Sequence, residues 1–206
     1  MKALHDYIVT TDVRYNNTVD VEGSELIVNT EITERDAEFV NREATIIATP
    51  SSRETEIQEG DKIIVHHNVF RRWYDMKRNE KNTGAFIDDD TYVVSEDQIF
   101  AYKRSNEPWR ATLKYCFVEP IVDESMFKDK RYESLKGILR ITDSYLDSLG
   151  IKPGTTVGFT PDSEYEFTID DKLLYRIYST QLTIDYGLQE RKTTDNSLEQ
   201  EGTPSA

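Results

Sequence analysis

Apolar residues along this chain fall in runs of two to five separated by polar stretches, a spacing that predicts short strands rather than helices. The first runs are Leu4 to Val9 and the triplet Leu26-Ile27-Val28. Thr45-Ile46-Ile47-Ala48 and Lys62-Ile63-Ile64-Val65-His66 follow, then Tyr92-Val93-Val94 and Ile99 to Tyr102. Gly60-Asp61 precedes Lys62-Ile63-Ile64-Val65-His66, and glycine accepts the positive φ that a tight strand entry often needs. Between the runs, Thr10 to Ser24 is polar with Val13, Val19 and Val21 scattered through it. Fifteen residues is long for a connection within a compact domain, and such loops are usually functional or mobile. Glu31 to Arg42 is charged and weakly periodic, Pro50-Ser51-Ser52 marks a turn, and Asp75 to Gly84 reads as a solvated, charged insert.

The same order of signals returns beyond Ser105-Asn106-Glu107-Pro108. Tyr115 to Val118, Ile138 to Ile141, Val157-Gly158-Phe159, Tyr165 to Ile169, Leu173 to Ile177 and Leu182-Thr183-Ile184 are strand candidates, and Ile121 to Ser134 is a polar loop. Ile57 and Gly60 lie 94 residues before Ile151 and Gly154, and Ile47 lies 94 before Ile141. Tyr92, Gln98 and Ile99 lie 83 before Tyr175, Gln181 and Leu182, as expected if the second copy lacks an insert the size of 75–85. The chain is therefore expected to be all-β, with two tandem copies of a small β-barrel. The first spans 1–104 with a long loop at 10–28, a linker spans 105–112, the second copy spans 113–187, and a disordered tail spans 188–206.

Composition narrows the class. Aromatics make up 11% of the chain, including twelve Tyr, and they suit half-buried strands. The net charge of −14 argues against a nucleic-acid partner, which needs a basic face. Arg71-Arg72 beside Trp73 is a local basic patch and reads as a solvated strand end. No apolar run approaches the roughly 18 residues of a membrane helix, and Met1 to Asp6 lacks a signal-peptide core. The lone Cys116 rules out an intrachain disulfide, so a cytoplasmic setting with no membrane partner is expected.

Candidate chemistry is sparse. His66-His67, adjacent on an expected strand, would point to opposite faces and share no metal. Asp88-Asp89-Asp90 lacks the spaced ligands of a cation loop and reads as a turn. Cys116 sits in an apolar strand as a small buried hydrophobe. No phosphate loop, metal motif or activated nucleophile is evident, so no cofactor, metal site or catalytic residue is expected. The loop ending in Leu26, Ile27 and Val28 has two readings. The triplet is either one more strand of the barrel or an apolar plug presented to a groove on a partner.

Four segments resemble the GroES-type co-chaperonins, in the order that family shows. They are the opening strand Leu4-His5-Asp6-Tyr7-Ile8-Val9 and the loop end Gly23-Ser24-Glu25-Leu26-Ile27-Val28. The others are Ile57-Gln58-Glu59-Gly60-Asp61-Lys62-Ile63-Ile64-Val65 and the closing segment Asp90 to Ala101. The second copy resembles the family less closely, and its loop is shorter with no free triplet. The resemblance implies GroES-like barrels joined edge to edge by self-association into a ring. It also implies a cap on a GroEL-type chaperonin, whose chamber holds unfolded client proteins and whose ATPase supplies the energy. Gly23, Leu26, Ile27 and Val28 would be the chaperonin-binding residues. Two rivals remain: a structural or assembly β-barrel protein, such as a virion component, without chaperonin binding, and an enzyme with an acidic cation site at Asp88 to Asp90.

Overall fold

The computed structural model describes residues 2–15, 18–21, 24–27, 40–88, 90–112, 114–123 and 131–188. Antiparallel strands dominate them. The first set is β1 (Tyr7–Thr10), β2 (Thr18–Val21), β3 (Ser24–Ile27), β4 (Glu43–Ala48), β5 (Lys62–Val65), β6 (Arg72–Tyr74), β7 (Glu80–Asn82), β8 (Phe86–Asp88), β9 (Thr91–Val94), β10 (Ile99–Lys103) and β11 (Arg110–Ala111). The second is β12 (Tyr115–Asp123), β13 (Arg131–Ile141), β14 (Thr155–Phe159), β15 (Tyr165–Ile169), β16 (Lys172–Tyr178) and β17 (Leu182–Leu188). A short helix, α1 (Ser144–Ser148), follows β13, and no helix among the described residues is long and apolar enough to cross a membrane.

Two large sheets form, ordered β11-β10-β5-β4-β1-β9-β8 and β15-β16-β12-β13-β14-β17. Apart from β11, the orders are the same once β8, β9, β1, β4, β5 and β10 are matched to β15, β16, β12, β13, β14 and β17. The registers agree in detail. Val9 sits between Tyr92 and Ile46, and Val118 between Tyr175 and Leu139. Each central strand bulges at the same place, between Ile8 and Val9 and between Phe117 and Val118. The turns before β5 and β14 also match. Gly60 and Gly154 adopt φ of 87° and 96°, and their N–H groups donate to Ile46 O at 2.8 Å and Leu139 O at 2.7 Å. A side chain is strained at that φ, so glycine is what lets the chain enter the strand there.

The registers correct one spacing. Ala48, not Ile47, corresponds to Ile141, because Ile8 pairs with Ala48 and Phe117 with Ile141. Neither sheet closes on itself into a barrel among the described residues; each is open, with β11 and β8 ending one and β15 and β17 the other.

Alternation on these strands sends one face into each half's own core. Tyr7, Val9, Ile46, Ile63, Val65, Tyr92, Val94 and Phe70 fill the first, and Cys116, Val118, Leu139, Val157, Phe159 and Ile177 the second. Leu146 of α1 closes the second core, its helix capped by the Asp143 carboxylate accepting from Leu146 N at 2.9 Å. A third cluster joins the halves: Ile64, Phe100, Ala101 and Ala111 pack against Phe117, Ile141, Phe167, Ile169 and Leu174. The Arg176 guanidinium lies 4.8 Å from the Phe100 ring centre, and Arg42 lies 4.4 Å from that of Phe167. Burial of this kind is worth about 1.5–3 kcal/mol per large apolar side chain, so the halves are held by a true core rather than a tether.

Several expected loops are ordered as strands. The charged insert at 75–84 contributes β7, which pairs with β6 in a hairpin. The described ends of the polar loop expected at 121–134 are strand, with Val122 opposite Tyr132 and Asp123 opposite Arg131, and 124–130 lie outside the described residues. The segment expected as a linker carries β11, whose Ala111 pairs with Ala101 and Arg110 with Tyr102. Of the expected tail, Leu188 ends β17 and 189–206 lie outside the described residues.

Candidate functional site

In the first half, the connection from β1 to β4 leaves the seven-stranded sheet and carries a two-stranded sheet of its own. Thr18 pairs with Ile27, Val19 with Leu26, Asp20 with Glu25 and Val21 with Ser24. Leu26 and Ile27 therefore belong to a strand, but to one outside the main sheet. Gly23 and Val28 lie outside the described residues. The expected loop is thus a hairpin over 18–21 and 24–27, and the sequence signal for it was the alternation of Val19 and Val21 with polar residues.

The base of this arm is firmly built. Tyr15 and Val40 pair across it, both buried, and Asn41 N donates to Arg14 O at 2.9 Å. The Asn41 side-chain amide donates to Thr11 Oγ1 and Val13 O, both at 2.7 Å, which ties the two chain ends together. Arg14 reaches sideways, donating to Phe70 O at 3.2 Å and to Asn82 Oδ1 at 2.7 Å, with Glu80 at 3.4 Å. Its side chain is only 15% exposed, so these bonds operate in a partly desolvated setting where they are stronger. The Tyr15 hydroxyl accepts from Arg72 N at 2.9 Å. The β6–β7 hairpin is therefore the buttress of the arm. The sequence at 75–84, which holds β7, reads as a solvated insert, because the contacts of this hairpin are made across more than fifty residues.

The second half arranges the equivalent connection differently. β12 and β13 stay paired up to Asp123 and Arg131, so the described part of the excursion is an extension of the sheet itself.

The remaining candidates hold no concerted site. β5 ends at Val65 and the chain turns, Val69 N donating to His66 O at 3.0 Å, so strand alternation stops before the histidines. Contrary to the opposite-face expectation, the His66 and His67 rings lie side by side with centres 4.2 Å apart. His66 Nδ1 accepts from Asn68 N, and His67 Nδ1 lies 2.9 Å from the Tyr165 hydroxyl, across the junction between halves. Burial, with Arg176 and Arg42 nearby, holds the His66 ring below its ordinary pKa. Burial pushes the Cys116 thiol up to about 12, which leaves it a poor nucleophile at neutral pH. Among the described residues no three His, Cys, Asp or Glu side chains come together as metal ligands; Asp88 is exposed and Asp89 lies outside the described set. Arg72 is engaged with Glu80 at 3.5 Å, while Arg71 and the half-exposed Trp73 border an open groove of about 730 Å³ that also includes Asp6 and Val93.

No protein-family model matches the chain, and no curated protein matches it in sequence.

Proposed function

We propose that this chain is a co-chaperonin of the GroES type, made of two tandem GroES-like units, that caps a GroEL-type chaperonin through its first-half arm. One observation carries the reading: Leu26 and Ile27 lie on a hairpin separate from the main sheet, on a base fixed by Tyr15, Arg14 and Asn41. A fixed base with an apolar edge beyond it suits insertion into a groove, where backbone pairing and a few side chains supply the affinity. The family-like segments support it too. Three of the four fall on β1, on the Gly60 turn with β5, and on β9 with β10, all in the sheet that the arm leaves.

Gly23, Leu26, Ile27 and Val28 are the proposed contact residues. Single arms bind weakly, and self-association into a ring multiplies them through effective concentration. The partner hydrolyses ATP and encloses the unfolded client. The test mixes the chain with a cognate GroEL-type chaperonin and nucleotide and follows co-migration on gel filtration. Wild type is expected to co-migrate, and the variant with Leu26, Ile27 and Val28 all changed to Ser is expected to run alone. Equal behaviour of the two would remove the arm from the reading, and failure of wild type with every cognate chaperonin would remove the reading itself.

A second reading is favoured by a different feature, the exposed apolar side chains Ile184, Tyr186 and Leu188 on β17. It makes the chain a structural or assembly β protein that packs through that edge without binding a chaperonin.

A further inference from the structure

The connection from β5 to β8 is long where its counterpart is short. In the second half 160–164 join β14 to β15, whereas in the first 66–85 run from β5 to β8 and carry the β6–β7 hairpin. One side of that hairpin braces the arm: Arg72 turns to Glu80, and its N–H donates to the Tyr15 hydroxyl at 2.9 Å. Trp73, the next residue along β6, turns the other way, into the open groove of about 730 Å³, and stays 47% exposed there. That volume falls within the roughly 300–1,000 Å³ of small-ligand clefts.

The walls of the groove are fixed before any ligand arrives. Trp73 pairs with Lys81 across the hairpin, Thr83 Oγ1 donates to Val69 O at 2.9 Å, and Val93 N donates to Ala85 O at 2.7 Å. Gln98 Oε1 accepts from Ser95 N at 3.2 Å, which orients the amide and leaves its NH2 group uncommitted. Among the described residues, no hydrogen bond or ion pair engages the Trp73 indole N–H, the Asp6 carboxylate or the Asn68 side-chain amide, which line the same groove. A preformed site of this kind binds without a large ordering cost.

The lining narrows the ligand. Asp6 and Arg71 are its one anion and one cation among the described residues, so the groove carries no surplus positive charge, and the whole chain carries −14. A phosphate-bearing ligand therefore meets no attracting field there. What the groove offers is a flat apolar face beside both donors and acceptors. Hydroxyl groups need both, since each donates one hydrogen bond and accepts others. A pyranose ring makes the same combined demand, with C–H groups on its face and hydroxyls around its rim. We infer that the groove binds an uncharged saccharide, one sugar ring lying on the Trp73 indole while Asp6 accepts from its hydroxyls and Asn68 and Gln98 donate to them. The site goes beyond the proposed capping function, and its test contains no chaperonin, so either can fail without the other.

The test follows the indole N–H signals of the full chain's two tryptophans by nuclear magnetic resonance. Uncharged trisaccharides of glucose, mannose, galactose and N-acetylglucosamine are each added to millimolar concentration, and Trp73→Phe assigns the two signals. At least one of the four sugars is expected to move the Trp73 signal saturably. Trp109, whose Nε1 donates to Asp170 at 3.0 Å in the seam between halves, is expected to stay still. Trp73→Ala and Asp6→Ala, followed through the Gly84 amide, are each expected to weaken binding by about tenfold or more with an unchanged thermal midpoint. No saturable movement with any of the four sugars, equal binding by both variants, or movement with adenosine or ATP in place of every saccharide would overturn the inference.

Discussion

The two halves of this molecule solve one folding problem with the same strands and differ in what hangs between them. β1 with β4 and β12 with β13 share pairing, bulge and glycine turn. In the first half the intervening chain leaves the sheet and forms a separate hairpin over a braced base; in the second it remains sheet as far as Asp123 and Arg131. The frame is set by alternation and a few turns, which tolerate exchange of side chains. The connections, rooted in the first core by Tyr15 and Val40, are where the two halves differ.

The largest test of the comparison lies at the junction. Phe167, 3% exposed, packs edge-on against Phe100 and Phe117, so it belongs to both halves at once. Phe167→Ala is expected to cost about 3–5 kcal/mol and to split one unfolding transition into two in calorimetry. A single transition of reduced midpoint would show that the halves are coupled by other contacts.

A smaller effect separates equivalent positions. Ala44 and Gly137 occupy the same register, opposite Ile63 and Val157. A Cβ on Gly137 would lie 2.3 Å from Val118 Cγ1 and 2.7 Å from Glu119 O, whereas Ala44 already fits. Gly137→Ala is expected to lower stability by about 1–3 kcal/mol in denaturant titration. A neutral result would mean that β13 shifts away from β12 without penalty.

The smallest effect is a pH dependence at the junction. His66 has a folded pKa below its ordinary 6.5, from burial first and the Arg176 and Arg42 charges after it. Below that ordinary value the unfolded chain binds a proton that the folded chain resists, so stability falls as pH drops through 6.5 and levels off beneath the depressed folded value. His66→Gln is expected to flatten this part of the stability curve, and an unchanged slope in the variant would assign it to other groups.

Much of the frame was readable from the residues. Ile57 to Val65 announced a turn and a strand, and the 94- and 83-residue spacings placed β5, β9 and β10 against β14, β16 and β17. What escaped was stabilised from a distance. Glu80-Lys81-Asn82 has no apolar alternation, and its pairing with β6 leans on Arg14. Five-residue α1 buries Leu146 alone, too little periodicity to register. The triplet at 26–28 was legible as apolar, but the arm's base was not: Arg14 and Tyr15 find partners more than fifty positions away, which sequence order does not announce. The histidines misled because strand alternation was carried one turn too far.

The central claim is that only the first half carries a partner-binding arm. Amide hydrogen exchange on the chain, with and without a GroEL-type chaperonin and nucleotide, tests it most directly. New protection is expected across the arm, 18–28, and none across 121–134; protection of the second-half hairpin instead, or of neither, would contradict the account.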